Sequence, residues 1–145
     1  MPEEGTLHRA EEDAREGKSP STQAGEFVRE EIHHVREGKH GAASAKQAIA
    51  IGLSKARRAG VKLAPPGGSA SLRKKAAQDT KAGARRGHKT SAKRSKATLG
   101  ALKREPHGSA SHKALSGQAK KSAAQRGKQN RVQAARKAAR TRRAA

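Results

Sequence analysis

A chain of 145 residues with 34 Lys and Arg against 12 Asp and Glu carries a formal charge of +22, and only 32% of it is hydrophobic. With one Phe, one Met and no Trp, Tyr or Cys, it is short of the large side chains that offset the entropy of ordering a whole chain. Disulfides, cysteine-ligated zinc and thiol catalysis are excluded, and the charge excess points to a polyanion as partner.

Charge divides the chain into three. Residues 1 to 37 hold ten acids and five bases, residues 38 to 65 hold six bases and no acid, and residues 66 to 145 hold 23 bases with only Asp79 and Glu105 against them. Met1-Pro2-Glu3-Glu4-Gly5 has no basic or apolar region of a secretory signal. No run of 18 apolar residues exists to span a membrane. The expected organisation is an acidic segment over residues 1–20, a helical hairpin over 21–64 and a basic tail over 65–145.

In chain order, Thr6 is placed to cap a first helix from Leu7 to Glu16, stopped by Gly17. Leu7 is its one large apolar residue, so the helix is expected to fray. Its acids Glu11, Glu12, Asp13 and Glu16 read either as a solvated face or as an internal competitor lying on the basic tail. A second helix opens at Ser21 or Thr22 and runs to about Glu37. Ala24, Phe27, Val28, Ile32 and Val35 form its apolar stripe, while Glu26, Arg29, Glu30 and Arg36 are expected to face water. Gly38 stands where a left-handed cap belongs.

Ser44 with Gln47 three residues on is a capping box for a third helix from Ala45 to about Ala59, ending at Gly60. Ala45, Ile49, Gly52, Leu53 and Ala56 form its stripe. Gly52 costs about 1 kcal/mol relative to Ala, which reads as a point of close approach to the Phe27 helix. Ile51 falls on the other side, left for Val61, Leu63 or a partner. Lys46, Lys55, Arg57 and Arg58 complement the helix dipole and read as a phosphate-facing patch. Pro65-Pro66-Gly67-Gly68 ends the unit. A hairpin this small is at the lower size limit for folding alone, which leaves a homodimer through the hairpin open.

Beyond Ser69 the chain is low in complexity. Gly-Ser-Ala-Ser recurs at residues 68–71 and 108–111, each copy leading toward an Arg-Gly pair, Arg86-Gly87 and Arg126-Gly127. Candidate helices are Leu72–Ala84, Ala92–Arg104, His112–Arg126 and Lys128–Arg143. Their composition favours helix, but like charge resists it, so the tail is expected to be disordered alone and helical on a polyanion. The fold class expected is mainly α: a small helical hairpin followed by a long basic, largely disordered or conditionally helical tail.

The tail has no interleaved aromatic residues on which to stack single-stranded bases. Lys and Arg reaching backbone phosphate favour a duplex and read little sequence. The candidate contacts are Arg73, Lys74, Lys75, Arg85, Arg86, Lys93, Arg94, Lys120, Lys121, Arg136, Lys137, Arg142 and Arg143, together with the Lys46, Lys55, Arg57 and Arg58 patch. Glu30-Glu31-Ile32-His33-His34 contains Glu-x-x-His twice, a spacing that can place a carboxylate and an imidazole on one metal. One helix supplies too few ligands and His40 is the only nearby addition, so a surface histidine pair, no metal and no cofactor are expected. No phosphate loop, nucleophile elbow or paired carboxylates in an apolar setting occur, so no catalysis is expected.

Residues 19–32 (SPSTQAGEFVREEI), 36–41 (REGKHG) and 46–61 (KQAIAIGLSKARRAGV) resemble a family of small basic bacterial proteins that carry a domain of unknown function, some of them labelled DNA-binding. The resemblance covers roughly residues 18–65, and the tail is similar in composition to linker-histone tails. It implies a bacterial, cytoplasmic, nucleoid setting and carries over no catalytic residue. The sequence therefore reads as a histone-like, sequence-independent DNA binder, with duplex DNA favoured over RNA and no membrane partner. The alternatives are an RNA- or ribosome-associated basic protein, and a protein-interaction module whose tail only localises it.

Overall fold

The computed structural model describes residues 1–85 and 91–144. Among these, seven α-helices and one short 3₁₀ turn follow in order: α1 (Glu4–Arg15), α2 (Pro20–Arg36), α3 (Ala45–Arg58), α4 (Ala70–Ala84), α5 (Ala92–Lys103), the turn Gly108–Ala110, α6 (His112–Gln125) and α7 (Gly127–Ala144). The chain divides into two compact units, Met1–Ser111 and His112–Ala145.

Local signals set the helix ends. The Ser19 hydroxyl accepts from the Thr22 amide, with Pro20 at the first helical position. Ser44 accepts from the Gln47 amide while the Gln47 side chain accepts from the Ala43 amide, a capping box displaced by one residue. Ser69 and Ser91 cap α4 and α5 in the same way. Gly17, Gly38 and Gly60 end the first three helices at φ +71°, +75° and +98°, conformations that a side chain disfavours.

Thr6 does not cap α1. That helix starts at Glu4, Thr6 is buried within it, and its hydroxyl meets Arg9 Nη2. Nor does α1 stand alone. Ala10 joins Ala24, Phe27 and Ala56 in the core, and Leu7, Leu53, Val61 and Leu63 pack around them. Gly52 lies against α2 so closely that an added Cβ would meet Val28 Cα at 2.6 Å.

The expected hairpin with a disordered tail is overturned: the chain after Pro66 is helical through nearly all its described length. Two of its segments also pack on the hairpin. α4 lies along the end of α3, burying Ala76 and Asp79, and a Cβ on Gly83 would stand 2.6 Å from the Arg57 carbonyl. From the last turn of α5 onward, Leu102 O accepts from the Gly41 amide, Pro106 O from the Ala42 amide, and Ala110 O from Arg36 Nε. These contacts use glycine, alanine and backbone rather than large apolar side chains, so hydrophobic periodicity does not register them. In α6 and α7 the intrinsic preference of Ala, Gln, Lys and Arg for helix prevails over like charge.

Candidate functional site

Two kinds of charge occupy this protein. Most acids of the first unit are paired with cations. Glu30, Glu31 and His40 are buried, and Lys55 Nζ lies 2.8 Å from both Glu30 Oε1 and Glu31 Oε2. Glu30 also accepts from the Glu3 amide at 3.0 Å. Burial pushes the Glu30 carboxyl up, but hydrogen bonds from Lys55, the Glu3 amide and Thr6 hold it below its ordinary 4.5. Burial likewise works against the Lys55 ammonium, yet Glu30 and Glu31 raise it above 10.5. Outside this core, hydrogen bonds with His34 and Lys39 lower the exposed Glu3 carboxyl to about 2.

Glu30 was expected to face water and does not. Glu31 sits four residues from both Phe27 and Val35, inside the apolar stripe of α2. Its contact with Lys55 is short but poorly directed, and both of its oxygens, sealed from solvent, lack a hydrogen bond of good geometry. The expected surface histidine pair is also corrected. His33 is exposed, but His34 is partly buried, and His40, 7% exposed, packs edge-on to His34 with ring centroids 5.9 Å apart. Glu31, His34 and His40 offer ligand atoms that all lie within 4.8 Å of one another. The i, i+3 spacing of Glu31 and His34 was visible in the sequence. The return of His40 after the Gly38 turn was not.

The patch expected on α3 is largely absorbed by the fold. Lys55 is committed to Glu30 and Glu31. Arg57 is buried, with Nη2 3.4 Å from the Ala64 carbonyl. Arg58 holds Asp79 through Nε at 2.9 Å and Nη2 at 2.8 Å, and Ser54 donates to the same carboxylate at 2.7 Å. Burial raises the Asp79 carboxyl, but Ser54, Arg58 and Lys75 outweigh it and leave it below the ordinary 3.8. Only Lys46 of the four stays exposed without such a role. In and just after α1, Glu11 pairs with Arg15, and Asp13 and Glu16 pair with Lys18.

From α4 onward the cations stand differently. Asp79 and Gly83 turn one face of α4 inward, and Lys74, Lys81 and Arg85 are exposed on the opposite side. Arg73 is exposed and donates to the Gly68 carbonyl; Lys75 is exposed with Asp79 at 3.5 Å. Lys93 and Arg94 on α5 and Lys120 and Lys121 on α6 are exposed. Arg86 lies outside the described residues. On α7, Arg136, Arg140 and Arg143 share one face of two turns, about 10 Å long, and Lys137 and Arg142 are exposed around them. Among the described residues, no acid beyond Asp79 in the chain takes part in an ion pair.

The profile of a family described as "Family of unknown function (DUF6496)" matches residues 16–67. That stretch, less than half of the chain, holds α2, α3 and the buried Glu30–Glu31–Lys55 cluster. The chain is similar to that family there, and the family's description assigns no activity. No curated protein and no solved structure gives a significant match. No helix among the described residues is long and apolar enough to cross a membrane.

Proposed function

We propose that this protein binds duplex nucleic acid through backbone phosphate, without catalysis and without reading sequence, in the manner of a nucleoid-associated protein. The observation that carries this reading is the division of its charge. Most acids of the first unit are met by cations within it, whereas residues 112–145 hold 11 Lys and Arg and no Asp or Glu. Such a surface attracts polyanions and releases their counterions.

The helical form of α4 to α7 changes the mechanism expected from sequence. The cations are already arrayed on helices, so binding requires less ordering of the chain. The described basic segments contain no aromatic side chain to stack on bases, which favours a duplex over single strands.

The test is a salt titration of binding to duplex DNA, single-stranded DNA and structured RNA. With about eight phosphates neutralised, log affinity for duplex falls against log salt with a slope of roughly −7. Affinity that ignores salt, or an absence of polyanion binding at low ionic strength, overturns the reading. Tighter binding to structured RNA assigns the same surface to an RNA partner.

A further inference from the structure

We infer that Glu31, His34 and His40 form a binding site for one divalent transition-metal ion of the zinc class. Two segments build it. α2 presents Glu31 and His34 one turn apart, and the chain reversing at Gly38 returns His40 beneath them.

The arrangement around His40 is the central observation. Its Nδ1 lies 3.0 Å from the Gly41 carbonyl. A carbonyl accepts only, so Nδ1 carries the proton and a neutral ring presents a bare lone pair at Nε2. That nitrogen lies 3.2 Å from Glu31 Oε1. Two acceptors this close in a buried site need a cation between them. A proton would supply it as a hydrogen bond, but Glu31 Oε1 has none of good geometry. Metal–nitrogen and metal–oxygen bonds of about 2.1 Å at a tetrahedral angle put two donors about 3.4 Å apart, close to the spacing found.

His34 supplies the third donor. The widest separation in the triad is no more than 4.8 Å. Glu3 Oε1, 2.8 Å from His34 Nε2, fixes that ring, as carboxylates do behind metal-bound histidines. A shallow cleft of about 190 Å³, lined in part by Glu3, His33 and Lys39, reaches His34. Two imidazoles and one carboxylate select zinc, cobalt or nickel over magnesium and calcium, which prefer all-oxygen shells. The fourth position falls to water. Charge is compatible: Lys55 offsets one of the two buried carboxylates, and the ion meets the other.

A bound ion would fasten the loop whose Gly41 and Ala42 amides hold residues 102–106. The site is independent of the nucleic-acid surface. The full-length protein, freed of metal with a chelator, is titrated with Co²⁺ followed by Zn²⁺, with no nucleic acid present. The expected result is one Co²⁺ per chain with the visible absorption of a low-coordinate nitrogen–oxygen site, displaced by Zn²⁺ and unaffected by excess Mg²⁺. Glu31→Gln, His34→Gln and His40→Gln each weaken binding at least tenfold, while His33→Gln leaves it unchanged. Should the two buried positions not tolerate substitution, His34→Gln, nearer the surface, carries the comparison, with helical circular dichroism as its control. Absence of saturable binding by the natural sequence overturns the proposal. So does equal binding by a folded His34→Gln variant, or a loss with His33→Gln as large as with His34→Gln.

Discussion

Residues 1–111 and residues 112–145 carry the same net charge, +11, built in opposite ways. The first reaches it from 23 bases and 12 acids, the second from 11 bases and none. In the first unit Lys55 and Arg58 are structural parts, and their carboxylate partners are buried. In the second, Arg136, Arg140 and Arg143 are exposed on one helix face with no acid anywhere in the unit. Net charge alone does not separate cations that hold a fold from cations available to a ligand. Burial and partners do.

The sharpest way to break this contrast is to remove cations from each side and compare unfolding free energies in denaturant. Lys55→Ala strands Glu30 and Glu31 in the interior and is expected to destabilise by about 3–5 kcal/mol. Replacing Arg136, Arg140 and Arg143 together by Gln is expected to change stability by less than about 0.5 kcal/mol per site, while the salt slope of duplex binding flattens by about 3. If the triple variant unfolds as readily as Lys55→Ala, the distinction fails.

Glycine sharpens it further. In an open helix Gly→Ala stabilises by about 1 kcal/mol. Gly117 in α6 has nothing within 4 Å of an added Cβ, so Gly117→Ala follows that rule. Gly83 in α4 abuts the carbonyls of Arg57 and Arg58, so Gly83→Ala reverses the sign and destabilises by about 1–3 kcal/mol. Melting curves of the two variants show whether α4 is docked as described.

A further effect concerns acid. Asp79 ionises more readily folded than unfolded, so below its ordinary value of 3.8 the unfolded chain binds the extra proton first. Its contribution is complete above that pH and is lost as pH falls through the lower, folded value. Asp79→Asn is expected to cost about 1–2 kcal/mol near neutrality and to flatten the stability profile below pH 3.8. An unchanged acid profile would remove Asp79 from the account.

Helix positions were largely legible from sequence. The Ser44 cap and the Gly38 and Gly60 stops were read correctly, whereas the second helix opens at the Ser19 cap rather than at Ser21 or Thr22, and the fourth at Ser69 rather than at Leu72. The close approach at Gly52 was legible too, because a glycine inside a strong helix needs a reason. The tertiary role of the tail was not. Gly83, Ala76 and Ala110 pack by being small, and smallness in an Ala-rich chain looks like low complexity. Glu30 was misplaced because charge was taken to mean water. Yet Glu31 stands in register with Phe27 and Val35, and Lys55 is its partner one helix later. His40 joins Glu31 and His34 only through a turn, which no spacing rule anticipates.

The return of residues 102–110 to the α2–α3 loop bears on how this protein should be handled at the bench. An expression fragment cut at residue 67, where the family profile stops, would lose the acceptors of the Gly41 and Ala42 amides and the carboxylate that holds Arg58. Each orphaned amide that stays buried costs about 1–3 kcal/mol, a large share of what so small a fragment has to spend. Homology boundaries here cut through a clasp, and a workable fragment extends to Ser111.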